Sequence, residues 1–307
     1  MTSYGFSMLM RGRDAGPEAF LRIAQRAEAL GVDALFCSSH IVLPPQVKSG
    51  YIMIPGRKHA EHWKEGYWEP FTVCSFLAGQ TRRIKLGTSI VVLPMHNPFE
   101  IAKQVAEVDR LSGGRFVFGI GVGWFEEEFE LLGHDFHTRG ARTDDALALM
   151  QRLWTEDPAS HDGPFYPVRD AWFSPKPVQK PHPPIWVAGH GQAALRRAAR
   201  FADAWHPVRP TLAFLAQARA DLRRYEEEAG RAPGSVKLAV KLPLVFQDGP
   251  PAEGQFPTEG RPQDIVDAVR RYRDAGAEHF LFDFVPERLT VAMDTIERFA
   301  QDVRPRL

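Results

Sequence analysis

The chain has 307 residues, 44% of them hydrophobic and 25% charged, which is the composition of a globular protein with a large core. Lysine plus arginine and aspartate plus glutamate number 38 each, and this balance argues against nucleic acid or an acidic membrane surface as a partner. The two cysteines exclude a disulfide framework, and no apolar run approaches the roughly 20 residues that a membrane helix needs. We therefore expect a cytoplasmic protein that acts on a small molecule, with no nucleic-acid or membrane partner.

Short apolar runs alternate along the chain with amphipathic helical patterns. The eight predicted strands are Tyr4–Met10, Ala34–Cys37, Lys85–Leu93, Arg115–Gly121, Ile185–Ala188, Ala204–Pro207, Lys237–Val245 and His279–Phe284. Helical patterns stand between them, and the last one, Arg288–Val303, closes the chain. This alternation favours an α/β fold, a (β/α)8 TIM barrel, over an open sheet, and we assign residues 1–307 to one domain.

Two long insertions interrupt the alternation. The first, Ile41–Glu69, follows the second strand and is rich in proline, glycine and aromatic residues. The second, Gly163–Pro184, follows the helices after the fourth strand and is predicted to be a loop or hairpin. Loops after strands lie on the catalytic face of such a barrel, so Ile41–Glu69 is a candidate pocket wall. It contains the pair His59 and His62, but a metal site there is improbable because the loop lacks the helical spacing.

The run Gly119-Ile-Gly121-Val-Gly123-Trp124 ends the fourth predicted strand. It is not a dinucleotide fingerprint, because Trp124 stands in the place of the third glycine and the strand is the fourth of the chain. Two interpretations remain open. The missing Cβ atoms let a flat ligand approach the strand end, or they relieve crowding between barrel strands.

Three further positions carry polar groups to the catalytic face. His40 follows the second strand and is able to transfer protons near neutral pH, although a loop histidine that merely hydrogen-bonds is the commoner case. Thr88 and Ser89 interrupt the apolar third strand, where they either bond a polar ring edge or bond back to the main chain. The turn Ala188–Gly191 precedes a helix, and its glycines expose main-chain N–H groups at the helix start. A phosphate site is favoured slightly over an ordinary strand-to-helix turn.

Several motifs together closely resemble the luciferase-like family, and in particular its branch of F420-dependent oxidoreductases. They are His96–Phe99, Val108–Phe116, Gly119–Trp124, Glu128–Phe129, Gly133, Arg139–Gly140, Pro175–Pro177, Pro181–Gly189 and Asp203–Trp205. The likeness is strong over about Ala24–Trp205 and covers the rest of the chain in outline. It is specific for the family and much less specific for the cofactor or substrate.

The resemblance implies a luciferase-like (β/α)8 barrel, often a homodimer, with a deazaflavin (F420) or FMN at the barrel mouth. It implies that His40 is catalytic, that a non-proline cis peptide joins Ser89 and Ile90 behind the ring, and that Ala188–Gly191 binds the phosphate. Some deazaflavin members have aspartate before the histidine, where this chain has Ser39. The predicted cofactor-binding residues are Ser39, Thr88, Ser89, Ile90, Gly121, Ala188, Gly189, His190 and Gly191, with no metal ligand.

The leading hypothesis is therefore hydride transfer between F420 and a small organic substrate, with His40 supplying or removing the proton. The alternative is an FMN-dependent monooxygenase that uses reduced flavin and oxygen. A catalytically inert, flavin-binding relative is the rival from a different class.

Overall fold

The computed structural model of the chain describes residues 2–44 and 66–307. Its strands are β1 (Ser3–Ser7), β2 (Ala34–Cys37), β3 (Lys85–Thr88), β4 (Val91–Val92), β5 (Phe116–Gly121), β6 (Ala159–His161), β7 (Val168–Ala171), β8 (Ile185–Ala188), β9 (Ala204–His206), β10 (Lys237–Phe246), β11 (Glu259–Gly260) and β12 (Ala277–Phe284). Its α-helices are α1 (Pro17–Ala29), α2 (Pro70–Gln80), α3 (Pro98–Leu111), α4 (Glu126–Leu131), α5 (Arg139–Thr155), α6 (Gln192–Phe201), α7 (Leu212–Glu228), α8 (Pro262–Asp274) and α9 (Leu289–Arg298).

Eight parallel strands close into a barrel in the order β1-β2-β3-β5-β8-β9-β10-β12. The first and last of them pair in parallel, from Ser3 opposite His279 to Phe6 opposite Phe282, so the sheet has no open side there. The predicted (β/α)8 TIM barrel is confirmed. In this fold the strands present their carboxyl ends, and the loops that follow them, to one mouth of the barrel.

The apolar pattern of each helix explains how it packs. In α1, Pro17 begins the helix, and Phe20, Ile23 and Ala27 recur on one face and are buried. The main core lies between such helix faces and the outside of the barrel. A smaller cluster includes Phe36 of β2 and Trp186 of β8, whose rings stack 4.9 Å apart.

The structure differs from the predicted elements most clearly in the following places. The predicted strand Lys85–Leu93 is divided into β3 and β4, because Ser89 and Ile90 leave the ladder between them. The antiparallel hairpin of β6 and β7 begins before the predicted insertion Gly163–Pro184, so that only β7 lies within the predicted bounds. The last predicted helix ends as α9 followed by a π-helical turn, Phe299–Val303.

Among the residues that the structure describes, no helix is both long and apolar enough to span a membrane.

Candidate active site

The predicted site residues come together at one end of the barrel. His40 follows β2, the Ser89–Ile90 segment follows β3, and the Ala188–Gly191 turn follows β8. Because all barrel strands are parallel, these three segments lie at the same mouth. Most of the insertion Ile41–Glu69 lies outside the described residues, and so do His59 and His62.

His40 forms a hydrogen-bonded pair with Glu128 of α4. The His40 Nδ1 atom lies 2.7 Å from Glu128 Oε2, and the side chains are 15% and 0% exposed. The other carboxylate oxygen, Oε1, accepts the backbone N–H of Ile41 at 2.7 Å. An ionised Glu128 has no hydrogen to donate, and its Oε2 atom then accepts the Nδ1 proton of His40. In the neutral ring, Nε2 is then the basic nitrogen.

Tyr67 and Phe125 pack edge-on against the His40 ring, with centroids 5.1 and 6.2 Å away. The Tyr67 hydroxyl hydrogen-bonds the hydroxyl of Ser38, two residues before His40. Burial raises the pKa of Tyr67 well above its ordinary value, so its hydroxyl stays protonated at neutral pH. These contacts restrict the orientation of the His40 ring.

The peptide bond between Ser89 and Ile90 is cis, as the resemblance implied. The glycine-rich strand β5 makes room for this segment. A Cβ atom on Gly119 would lie 1.9 Å from the carbonyl oxygen of Thr88, and one on Gly121 would lie 2.8 Å from Ile90 Cδ1. The glycines therefore relieve crowding against the end of β3, which is the second of the two interpretations left open by the sequence.

The hydroxyl of Thr88 is bonded to the main chain of β5. It donates to the carbonyl oxygen of Gly119 at 2.7 Å and accepts the N–H of the same residue at 2.9 Å. Thr88 is fully buried. The suggestion that this hydroxyl bonds a ring edge is therefore corrected: its donor and one lone pair already hold β3 to β5.

Ser89 belongs to a chain of hydrogen bonds inside the barrel. His206 Nδ1 lies 2.6 Å from the carbonyl oxygen of Ala239 and donates to it, so His206 Nε2 accepts from the Ser89 hydroxyl at 3.0 Å. Lys241 Nζ lies 3.4 Å from Ser89 Oγ and 3.2 Å from Asp283 Oδ1. Burial lowers the pKa of His206 to about 4, so this ring is neutral near pH 7.

The turn after β8 exposes main chain at the start of α6. Gly189 has φ +127°, and a Cβ there would lie 2.7 Å from Ala194 Cβ, so the turn requires glycine. Gly191 is the N-cap residue, and no side chain caps the helix. The buried Nε2 atom of His190 has no hydrogen-bond partner among the described residues. The helix dipole and the main-chain N–H groups at the start of α6 make the turn suitable for an anion.

Residues 3–253 match the model of a protein family described as luciferase-like monooxygenase. The chain belongs to this luciferase-like family. A ketoreductase of Mycobacterium tuberculosis that acts on phthiodiolone and phenolphthiodiolone dimycocerosates is 32% identical over 222 residues, which are 70% of this chain and 57% of that protein.

Two solved structures share the fold of this chain. An F420-dependent secondary alcohol dehydrogenase, in complex with an F420-acetone adduct, superposes with a TM-score of 0.78 at 18% identity, covering 99% of this chain and 98% of that one. A riboflavin lyase with modified FMN superposes with a TM-score of 0.77 at 16% identity, covering 99% and 91%. At these identities the likeness establishes the fold alone.

Within this luciferase-like barrel, the remaining predicted residues lie close to the same mouth. Ser39 is buried beside His40, and Ile90 is half-buried after the cis bond. Among the described residues no cluster of three or more metal-ligating side chains occurs.

Sequence reasoning missed the roles of Glu128, Lys241 and His206. A signal for two of them was present, because a lysine and a histidine stand inside the apolar strands β10 and β9. A charged residue inside a barrel strand needs a partner, and such residues commonly mark function.

Proposed function

We propose that this protein is an F420-dependent oxidoreductase that transfers a hydride between the deazaflavin and a small organic substrate. The observation that carries the proposal is the combination, at one barrel mouth, of the His40–Glu128 pair with the helix start at Ala188–Gly191, whose N-cap residue Gly191 has no capping side chain. A bound deazaflavin would supply the hydride chemistry. The protein would orient the ring and the substrate and move the proton.

The residues present fit such a cofactor in two respects. The Ala188–Gly191 turn has a glycine at the helix N-cap and no side chain that caps the first N–H groups of α6, which suits a phosphate. The Ser89–Ile90 segment lies at the mouth, and β5 packs against its other side. This packing supports the segment as a surface for a flat ring. We assign Ser39 to the wall of this site, and we assign Thr88 and Gly121, which are buried behind the Ser89–Ile90 segment, to its support rather than to hydrogen bonds with the ring.

We assign to His40 the transfer of the proton that accompanies the hydride. Its Nδ1 proton bonds Glu128, so Nε2 is the nitrogen that takes up or gives a proton. For a secondary alcohol, the carbon loses a hydride and the oxygen loses the proton to His40, leaving a ketone. The named ketoreductase and the named alcohol dehydrogenase support a carbonyl–alcohol pair as the substrate class. Glu128 stabilises the imidazolium that forms, as a buried carboxylate does beside a histidine.

Titration of the purified protein with both cofactors tests the proposal. Tight binding of F420, with FMN bound much more weakly, is the expected result. Tight binding of FMN without binding of F420 would refute the deazaflavin assignment and favour the FMN-dependent monooxygenase. Binding of either cofactor without turnover of alcohols, ketones or other small substrates would favour the inert relative.

A substitution at Gly191 tests whether the cofactor binds at the Ala188–Gly191 turn. Gly191→Glu places a negative charge at the proposed phosphate site, where an added Cβ atom meets no atom within 4 Å. If the cofactor binds at this mouth, the substitution weakens binding while leaving the fold intact. The uncharged Gly191→Ala is the matched control.

A further inference from the structure

A half-buried pair of opposite charges lies inside the barrel beside the Ser89–Ile90 segment. Lys241 of β10 and Asp283 of β12 are 3.2 Å apart, with side chains 12% and 22% exposed. Asp283 also accepts the hydroxyl of Ser7 at 2.6 Å, and Lys241 reaches Ser89 Oγ at 3.4 Å. The described partners of this pair therefore come from β1 and from the segment after β3.

The hydrolytic role that a carboxylate at a strand end suggests does not suit Asp283. Paired carboxylates do such chemistry, whereas the partner of Asp283 is an ammonium group. Taking two charges partly out of water costs free energy, and where such a pair is buried an apolar pair of similar volume is often as stable or more stable. A role other than stability is therefore a reasonable explanation for this pair.

We propose that Lys241 and Asp283 set the preference of the site for the reduced over the oxidised cofactor. The inference rests on the proposed function, in which the ring lies against the Ser89–Ile90 segment. A hydride adds one proton and two electrons, so an uncharged ring gains one negative charge on reduction. A nearby ammonium group favours the reduced form, and a nearby carboxylate disfavours it.

Substitutions of the two residues should change the ratio of reduced-form to oxidised-form affinity in opposite directions. Lys241→Met removes the positive charge and should lower the ratio of reduced-form to oxidised-form affinity about tenfold. Asp283→Asn removes the negative charge, keeps an oxygen for Ser7, and should raise the ratio by a similar factor. A tenfold change in this ratio corresponds to about 30 mV in the potential of the bound two-electron couple.

The same two strands provide a matched control at the other end of the barrel. Lys237 of β10 and Glu278 of β12 form an ion pair of 3.5 Å whose side chains are 53% and 47% exposed. Lys237 lies four residues before Lys241 on the strand, roughly 13 Å away, and its charge is screened by water. Lys237→Met and Glu278→Gln should leave the ratio unchanged.

The experiment measures dissociation constants of the oxidised and the reduced cofactor by anaerobic fluorescence and absorbance titration. Thermal melting checks that each variant is folded, and Lys241→Arg, which restores the charge, should restore the ratio. Shifts in the same direction for Lys241→Met and Asp283→Asn, or no shift in either, would overturn the inference while leaving the proposed function intact. A wild-type protein that binds neither F420 nor FMN would overturn both. Binding of FMN alone would refute the deazaflavin assignment, and the same ratio measured with FMN would still decide the inference.

Discussion

The two sides of the barrel mouth are built differently. Beside β2, the polar groups of His40 and Glu128 are bonded to each other and to the main chain, and aromatic rings pack around them. Beside β8, three strands further around the barrel, the Ala188–Gly191 turn offers main chain at an uncapped helix start. The first side is organised without a ligand, because its hydrogen bonds are already made. The second side has donors whose natural partner is an anion.

This difference separates two kinds of function. A group that moves a proton must be held in one orientation, since a small displacement costs much of the rate. A group that binds a phosphate needs only available N–H donors and space for the oxygens. Substitutions on the two sides should therefore affect different quantities: turnover on the β2 side and cofactor affinity on the β8 side.

The largest expected effect is that of His40→Ala. Turnover should fall by about 100-fold or more, because general acid–base catalysis contributes on that order, while cofactor affinity stays nearly constant. His137→Ala is the matched control, since His137 also faces a glutamate, Glu126, but is 83% exposed and the atoms are 4.0 Å apart. Steady-state kinetics together with cofactor titration measure both quantities. Unchanged turnover in His40→Ala would remove the catalytic assignment.

The next effect concerns the stability of the folded barrel at low pH. Burial lowers the pKa values of His206 and His279 to about 4 from an ordinary value of 6.5. The unfolded chain binds more protons between these values, so stability is complete above pH 6.5 and is lost as the pH falls toward 4. Each histidine contributes up to about 3 kcal/mol to this loss.

Urea unfolding at several pH values between 4 and 7 measures that loss. His206→Asn keeps a donor for the Ala239 carbonyl. In this variant the free energy of unfolding should depend less steeply on pH, because one of the two buried histidines no longer contributes. His137→Asn, at an exposed position, should leave the slope as it is. An unaltered slope in His206→Asn would mean that His206 is already protonated or is not buried in the folded protein.

Gly119→Ala tests the packing behind the cis segment. A Cβ there would lie 1.9 Å from a backbone oxygen, so strands β3 and β5 must separate, and we expect a loss of about 1–3 kcal/mol in the free energy of unfolding. Gly191→Ala, where the added atom meets nothing within 4 Å, should change it by less than about 0.5 kcal/mol. Equal stabilities of the two variants would contradict the account of the glycine-rich strand.

The smallest expected effect is that of Gly191→Glu on cofactor affinity. A single like charge at a partly solvated anion site should weaken binding about tenfold, or about 1.4 kcal/mol. Turnover at saturating cofactor should change little, in contrast to His40→Ala. Titration of Gly191→Glu at low and high salt measures the effect, which salt should reduce. If Gly191→Glu and Gly191→Ala bind equally well, the phosphate lies elsewhere.

The sequence alone determined the fold, since apolar runs of strand length alternated with helical patterns eight times. Each strand or helix is predicted from the pattern of residues close to it in the sequence. The family motifs also placed His40, Ser89–Ile90 and Ala188–Gly191 at one mouth, because each follows a parallel strand. Local patterns are sufficient for such statements, since they depend on periodicity and on the common direction of the strands.

Only the tertiary structure decided which groups contact each other. Glu128 lies 88 residues after His40, and Lys241 lies 152 residues after Ser89, so no local pattern predicts either pair. The role of Gly119 changed for the same reason: its missing Cβ matters only because Thr88, from another strand, occupies that space. Hydrogen bonds and close packing act over a few ångströms, and the closed barrel alone brings these distant residues within that range.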